Sequence, residues 1–369
     1  MEPAIRHLIE RNKREIDALV AGGRVHHWAS LLAPIEELED ELSRGWSPIS
    51  QLNAVCNSEE LRAAYNACLP LLSEYSSWLG QHAGLCAAYQ QIRDSAEFEA
   101  LDDARRATID HALRDFRLSG VSLPENDKRR FSAIRKRLSE LGSRFGENVL
   151  DATNHWQRQC TREELAGLPE TALASAAQLA AQAGLDGYLL TLDQPSVQPV
   201  LAYCDNRDLR REIYTAHITR ASDQGTGESG WDNTGIIDEI LSLRLEMAQL
   251  LGYSNYAELS LATKMAEDPA TVISFLQQLA EHSRDQARVE WQSLCDFAAG
   301  LGTTELEPWD VAYFSEKQKQ SLFDVSDEDI RPYLPVDRVL PGLFEVARRL
   351  FAIDIVEVGE FDRYHDDLR

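Results

Sequence analysis

The groups in this 369-residue chain that could hold a metal or move a proton are 9 histidines, 6 cysteines and 61 Asp and Glu side chains. The histidines are His7, His26, His27, His82, His111, His155, His217, His282 and His365. A helical zinc site needs two imidazoles on one face, as in HExxH, with a further carboxylate. No two of these histidines stand four apart, and HExxH does not occur. His111 and Asp115 share a helical face, but they supply two ligands where a catalytic zinc takes three from the protein, so they read as a surface pair. His365-Asp366-Asp367 reads as a solvated run. Gly225, Gly227 and Gly230 match GxGxxG, but a helical segment, RREIYTAHITRASD, precedes them where a dinucleotide site needs a strand. The stretch therefore reads as a surface loop. There is no GxSxG elbow and no CGxC-type cysteine; a triad scattered along the sequence stays open. Paired carboxylates are too many in so acidic a chain to single any pair out, and solvated helical faces account for them.

One dense aromatic run remains, Trp309-Asp310-Val311-Ala312-Tyr313-Phe314, followed by SEKQKQ. Its plain reading is a helix start anchored in a core; its sharper reading is the wall of a ligand cleft. No catalytic residue and no metal ligand is assigned, and the substrate-binding residues stay unknown.

The elements that would position such groups are nearly all helical. Leu31, Ile35, Leu38 and Leu42 recur at helical spacing and predict a helix over 28–45 that stops near Gly45. A longer apolar-rich stretch runs from about Glu59 to Gln91, with a break or kink expected at Pro70. Residues 98–117 predict another helix, ending at Ser119-Gly120. From Pro124, Phe131, Ile134, Leu138, Leu141 and Phe145 mark a long helix through the HWQRQ that follows. The texture changes at 187–204, GYLLTLDQPSVQPVLAYC, which reads as a small β segment and the best boundary between sub-domains. The predicted division is 1–150, a helical domain, and 151–369, helices with that short β segment. In 232–252 the apolar residues cover so wide an arc that a helix buried on most sides is expected, closed by Gly252. Asp268-Pro269 caps and opens the next helix. A last helix over 341–351 leads into the strand-like AIDIVEVGEF.

The 37 basic residues against 61 acidic ones give a formal charge of −24. Such a surface repels phosphate backbones and anionic lipid, which argues against nucleic-acid and membrane partners. Cys56, Cys68, Cys86, Cys160, Cys204 and Cys295 form no CxxC pair and read as reduced thiols, so a cytosolic setting is expected. No apolar run approaches the roughly 20 residues of a membrane span.

Several segments together carry a family resemblance. They are LPLLSEYSSWLGQHAGL (69–85), ALRDFRLSGVSLP (112–124) and RLSELGSRFGENVLDAT (137–153), then GYLLTLDQPSVQPVLAYCDNRDLRREIYTAHITRASDQG (187–225), LRLEMAQLLGYSNYAELSLATKMAEDP (243–269) and PWDVAYFSEKQKQ (308–320). The chain resembles, from end to end, the thimet-oligopeptidase (M3) family of zinc metallopeptidases. That resemblance implies a mainly helical body whose halves flank a deep channel admitting short peptides, cleaved signal peptides among them. It implies one zinc ion in the complete enzyme, held by an HExxH helix and a downstream glutamate, with the motif glutamate activating water. It also implies a monomer. The family's zinc-binding part is its C-terminal half, expected beyond Arg369, so no zinc is expected on this chain and none of its residues receives a catalytic role. Family members carry a segment ending in a PEH-like triplet before the helix that here begins MEPAI, so Met1 is expected to be an internal position. The leading expectation is thus the N-terminal portion of a zinc-dependent oligopeptidase, inactive alone. The alternatives are a non-enzymatic helical peptide-binding module using Trp309 to Phe314, and one chain of a split peptidase.

Overall fold

Helices form where apolar residues recur at steps of three and four behind a capping side chain. Ser58, Asp102, Asn206, Asn255 and Asp268 each accept a hydrogen bond from the backbone N–H three residues on, and each stands directly before a helix. A computed structural model describes residues 1–225, 230–359, 363 and 365. The chain is 73% helical, as the all-α expectation requires.

The order begins with α1 (Glu2–Val20), a π turn at Trp28–Leu32, α2 (Ala33–Val55), α3 (Glu59–Gly80) and α4 (Ala83–Arg93). Then come α5 (Ala96–Ala100), α6 (Asp103–Leu118), α7 (Glu125–His155), β1 (Gln157–Cys160), α8 (Glu170–Gln182) and β2 (Tyr188–Thr191). After these stand α9 (Gln194–Tyr203), α10 (Arg207–Thr219), α11 (Thr234–Leu250), α12 (Tyr256–Leu261) and α13 (Pro269–Gly300). The last are α14 (Pro308–Phe323), α15 (Asp327–Ile330), a 3₁₀ turn at Arg331–Tyr333 and α16 (Val336–Phe351).

Two compact units divide these elements. The first comprises Met1–Gly146 with Thr234–Val272, the second Glu147–Asn233 with Ile273–Arg369. In the first unit, α1 lends Ile16 to a core with Leu31, Leu32, Leu85, Ile92 and Ile109, and lends Ile5 and Ile9 to a second with Leu42, Ile49, Cys68 and Tyr75. A third cluster joins Ile134 and Leu141 of α7 to Ile236 and Leu243 of α11. In the second unit, β1 and β2 pair antiparallel, Gln157 opposite Thr191 and Cys160 opposite Tyr188. The main core there gathers Leu173 and Ala176 of α8, Leu190 of β2, Val197 and Val200 of α9, and Leu209 and Ile213 of α10. Gly167 has φ +92° and lies so close to the Tyr203 carbonyl that a Cβ would stand 2.3 Å from it. Only glycine satisfies both conditions.

Several elements differ from expectation, each for a packing reason. The helix expected to stop at Gly45 continues through Gly45 and Pro48 to Val55. A Cβ at Gly45 would sit 3.0 Å from Leu8, so this glycine admits α1 instead of ending α2. Pro70 does not break α3. Burial of Cys68 and Tyr75 on either side offsets the hydrogen bond that proline removes, which in an exposed helix interior costs about 3 kcal/mol. The helix expected over 98–117 is two, because Asp102 caps a new start at Asp103.

Only the first part of 187–204 is strand; Gln194–Tyr203 is helix, with Pro195 in its first turn, where no N–H is missed. The partner of that strand comes from the tail of the expected long helix, which ends at His155. α11 is buried on one side rather than most: Ile236 and Leu243 face the core, while Ile237 and Leu241 are exposed. Residues 352–359 form no strand; a strand exists only through a neighbour's hydrogen bonds, and among the described residues none pairs with them. The remaining two residues of that strand-like run lie outside the described residues.

Candidate functional site

The aromatic run that stood out in the sequence opens α14, and the structure builds a polar cluster around it. Pro308 occupies the first turn, and Glu307 and Asp310 form a capping box that fixes the start. Asp310 is 0% exposed. Its carboxylate is held from α10 by Arg207 Nη2 at 2.6 Å and by Arg210 Nη2 at 2.8 Å, and it accepts from the Glu307 N–H at 3.1 Å. Arg210, itself 2% exposed, also donates to the Cys204 carbonyl at 2.7 Å, and its guanidinium lies 4.0 Å from the Tyr313 ring centre. Burial pushes the Asp310 carboxyl up, and the hydrogen bonds from Arg207 and Arg210 outweigh it, holding the group below the ordinary carboxylate range.

The next turn repeats the grip. Tyr313 Oη donates to Asp205 Oδ1 at 2.7 Å, and Lys317 Nζ reaches the same oxygen at 3.3 Å. Burial, then the bond to Asp205, pushes the Tyr313 phenol up. Trp309 packs edge-on against Tyr214, and Phe314 is buried with Leu294 and Ala298 of α13. Every charge named here has an opposite charge beside it. These pairs hold α14 against α10 and the turn before it.

The run opens a helix anchored in a core, as its plain reading expects, with Asp310 and Phe314 buried. The sequence missed the three residues that hold it, Asp205, Arg207 and Arg210, about a hundred positions away. The two arginines show in the sequence only as the basic spacing in NRDLRRE, and Asp205 shows no signal of its own.

The other residues weighed in the sequence do not converge. His111 and Asp115 are exposed on α6, and Asp115 pairs with Arg114 at 2.8 Å. Gly225 and Gly230 follow helix α10 rather than a strand, and Gly227 lies outside the described residues. His365 is described; Asp366 and Asp367 are not. Among the described residues no group of three His, Cys, Asp or Glu side chains could hold a metal ion. They therefore do not fit a zinc site. A cleft of about 390 Å³ opens in the second unit between α8, β2 and α9, with Leu168, Leu179 and Pro199 on its walls and Asp193 at its edge.

The largest chemical feature is a surface. From Ile273 onward α13 exposes Ile273, Phe275, Leu276 and Leu279, and α16 with the segment after it exposes Val336, Leu343, Leu350, Phe351, Ile355 and Val356. α16 buries no residue at all. Exposed apolar side chains in such number are a surface on which another segment or molecule can pack. No helix is long and apolar enough to cross a membrane among the described residues.

This helical body matches two segments of one peptidase family. Residues 5–129 match the N-terminal domain of neurolysin and thimet oligopeptidase, and residues 200–369 match peptidase family M3. The chain belongs to that family. It is 50% identical to oligopeptidase A of Escherichia coli (strain K12) over 369 residues, all of this chain and 54% of the relative. It is 37% identical to a probable cytosolic oligopeptidase A of Arabidopsis thaliana over 381 residues, again all of this chain and 53% of that one. A dipeptidyl carboxypeptidase of E. coli is 26% identical over 371 residues, all of this chain and 54% of that one. The chain spans about half the length of the curated relatives it matches, and the matched half is the N-terminal one.

Proposed function

We propose that this chain is the N-terminal portion of a zinc-dependent oligopeptidase that hydrolyses short peptides, cleaved signal peptides among them, in the cytosol. The observation that carries the reading is the 50% identity to E. coli oligopeptidase A along the whole chain. In this reading the zinc ion and the groups that activate water come from a segment outside these 369 residues. The part in hand supplies a rigid wall, with α14 locked on α10, and an apolar face on α13 and α16 that the remaining segment covers. The complete enzyme acts as a monomer on peptides, and neither nucleic acid nor membrane is a partner.

The test is reconstitution. The purified chain alone is expected to bind no zinc stoichiometrically and to cleave no quenched fluorogenic peptide. Mixed with the C-terminal half of E. coli oligopeptidase A, it is expected to form a complex with chelator-sensitive cleavage. One equivalent of metal and chelator-sensitive turnover in the chain alone would sink the proposal. Reading the nucleotide sequence downstream for HExxH separates the two forms of this reading: the motif in frame makes one long chain, the motif behind its own start codon a split peptidase.

The exposed aliphatic surface also supports a second reading, a non-enzymatic peptide-binding module. Saturable binding of short peptides by the chain without turnover, and no gain of activity with the added half, would favour it.

A further inference from the structure

One interface in the first unit is built unlike the rest of its core. One face of α3 carries Cys68 and Tyr75 into the apolar cluster with Ile5, Ile9 and Leu42. The opposite face meets α7 through polar groups. Ser143 Oγ donates to Asn66 Oδ1 at 3.0 Å, Lys136 Nζ to Glu74 Oε1 at 2.7 Å, Arg135 Nη2 to Ser76 Oγ at 3.0 Å and Ser132 Oγ to Gln81 Oε1 at 3.4 Å. Among the described residues no apolar cluster holds members of both helices.

Two buried polar atoms have no partner, Ser77 Oγ on α3 and Gln81 Nε2 at its C-terminal cap, and Ser77 is 3% exposed. Ser77 stands three turns after Asn66 and one turn before Gln81, so it shares the face turned to α7. Buried polar atoms are almost always hydrogen-bonded, and two orphans on one side of this seam demand a reason.

The other side of α7 is gripped firmly. Ile134 and Leu141 pack with Ile236 and Leu243 of α11. Arg130 reaches both oxygens of Glu246 at 2.5 and 2.6 Å, and Arg137 both oxygens of Glu239 at 2.6 and 2.9 Å. Interdigitated apolar side chains fix one register, whereas hydroxyls and amides exchange partners without repacking.

We propose that the α3–α7 seam is a slip plane, along which α7 and α11 move together by one helical turn between two registers. The two helices run antiparallel, since Ser143, Lys136 and Ser132 meet Asn66, Glu74 and Gln81 in reverse order. A one-turn step of about 5.4 Å brings each α7 residue to the level now held by the residue four places on. That step carries Arg129 to the level of Ser77 and moves Glu125 one turn nearer Gln81. The guanidinium then donates to Ser77 Oγ and the carboxylate accepts from Gln81 Nε2, which pairs both orphans. Room exists for it: Gln81, Glu125, Lys128, Arg129 and Ser132 already line one open cleft of about 460 Å³ at that end of the seam.

Cysteine trapping in the full chain tests this. Asn66→Cys with Ser143→Cys bridges the register seen, and Asn66→Cys with Ser139→Cys bridges the displaced one; mapping the linked peptides by mass spectrometry keeps native thiols from confusing the result. Both pairs are expected to close under mild oxidant at rates within about tenfold of each other, as two registers of similar free energy require. Closure of the Ser143 pair alone overturns the proposal. Ser77→Ala removes an atom satisfied only in the displaced register, and is expected to shift the ratio of the two cross-links toward the Ser143 pair. An unchanged ratio in a folded Ser77→Ala chain likewise overturns it.

Discussion

α14 and α16 are each 16 residues long and belong to the same unit, yet their surroundings are opposite. α14 mixes charge and aromatic residues and shows little apolar stripe, but it is locked in place by a carboxylate that two arginines reach from α10. α16 separates Val336, Val339, Leu343 and Leu350 from Glu345, Arg348 and Arg349, and touches no core; Leu350 is 69% exposed. An amphipathic pattern thus states that a helix needs a partner, and says nothing of where in the polypeptide that partner lies.

The sharpest way to break this contrast is to remove the α14 lock. Asp310→Ala leaves Arg210 buried without its counter-charge, a defect of about 3–5 kcal/mol. Urea unfolding should show that loss, and a loss below about 1 kcal/mol would mean the pair is not what holds α14.

Acid should act on the same lock. A carboxyl whose folded pKa is depressed contributes stability that is present above its unfolded pKa, near 3.9 for aspartate, and is lost as pH falls through the folded value. Wild type should therefore lose stability below about pH 4 more steeply than Asp310→Asn. Glu39, which accepts from Tyr75, carries the opposite sign. Burial raises its pKa, so its contribution improves as pH falls through the folded value, and Glu39→Gln should flatten that gain in thermal melts across mildly acidic pH.

Tyr313→Phe, which deletes one hydrogen bond to Asp205, should cost about 0.5–1.5 kcal/mol by the same unfolding measurement. The smallest effect belongs to α16. Leu343→Glu with Leu350→Glu should change the stability of the isolated chain by less than about 0.5 kcal/mol, since neither side chain is buried. Sedimentation should show less self-association of that variant, and pairing with the C-terminal half of E. coli oligopeptidase A should be lost. A large drop in its stability would mean that α16 is packed after all.

Local chemistry was legible wherever it sufficed. The Asp268 cap with its following proline and the Gly252 stop with φ +83° stand as the residues imply, while α11 is a helix but buries only one of its two apolar stripes. Gly45 and Pro70 misled, because a glycine or proline states a local cost and not the burial that outweighs it. The strand at Tyr188 was readable from its own residues, but its partner at Gln157 was hidden inside a helical run, since pairing is settled across the sheet.

By itself the sequence determined a helical chain of family M3, strongly acidic, with an aromatic run seeking a core. Tertiary structure alone decided that the run is held by Arg207 and Arg210, because a buried charge is stable only where an opposite charge meets it. It also decided that the apolar face of α16 stays exposed among the described residues: periodicity makes an apolar face, and only packing shows whether anything covers it.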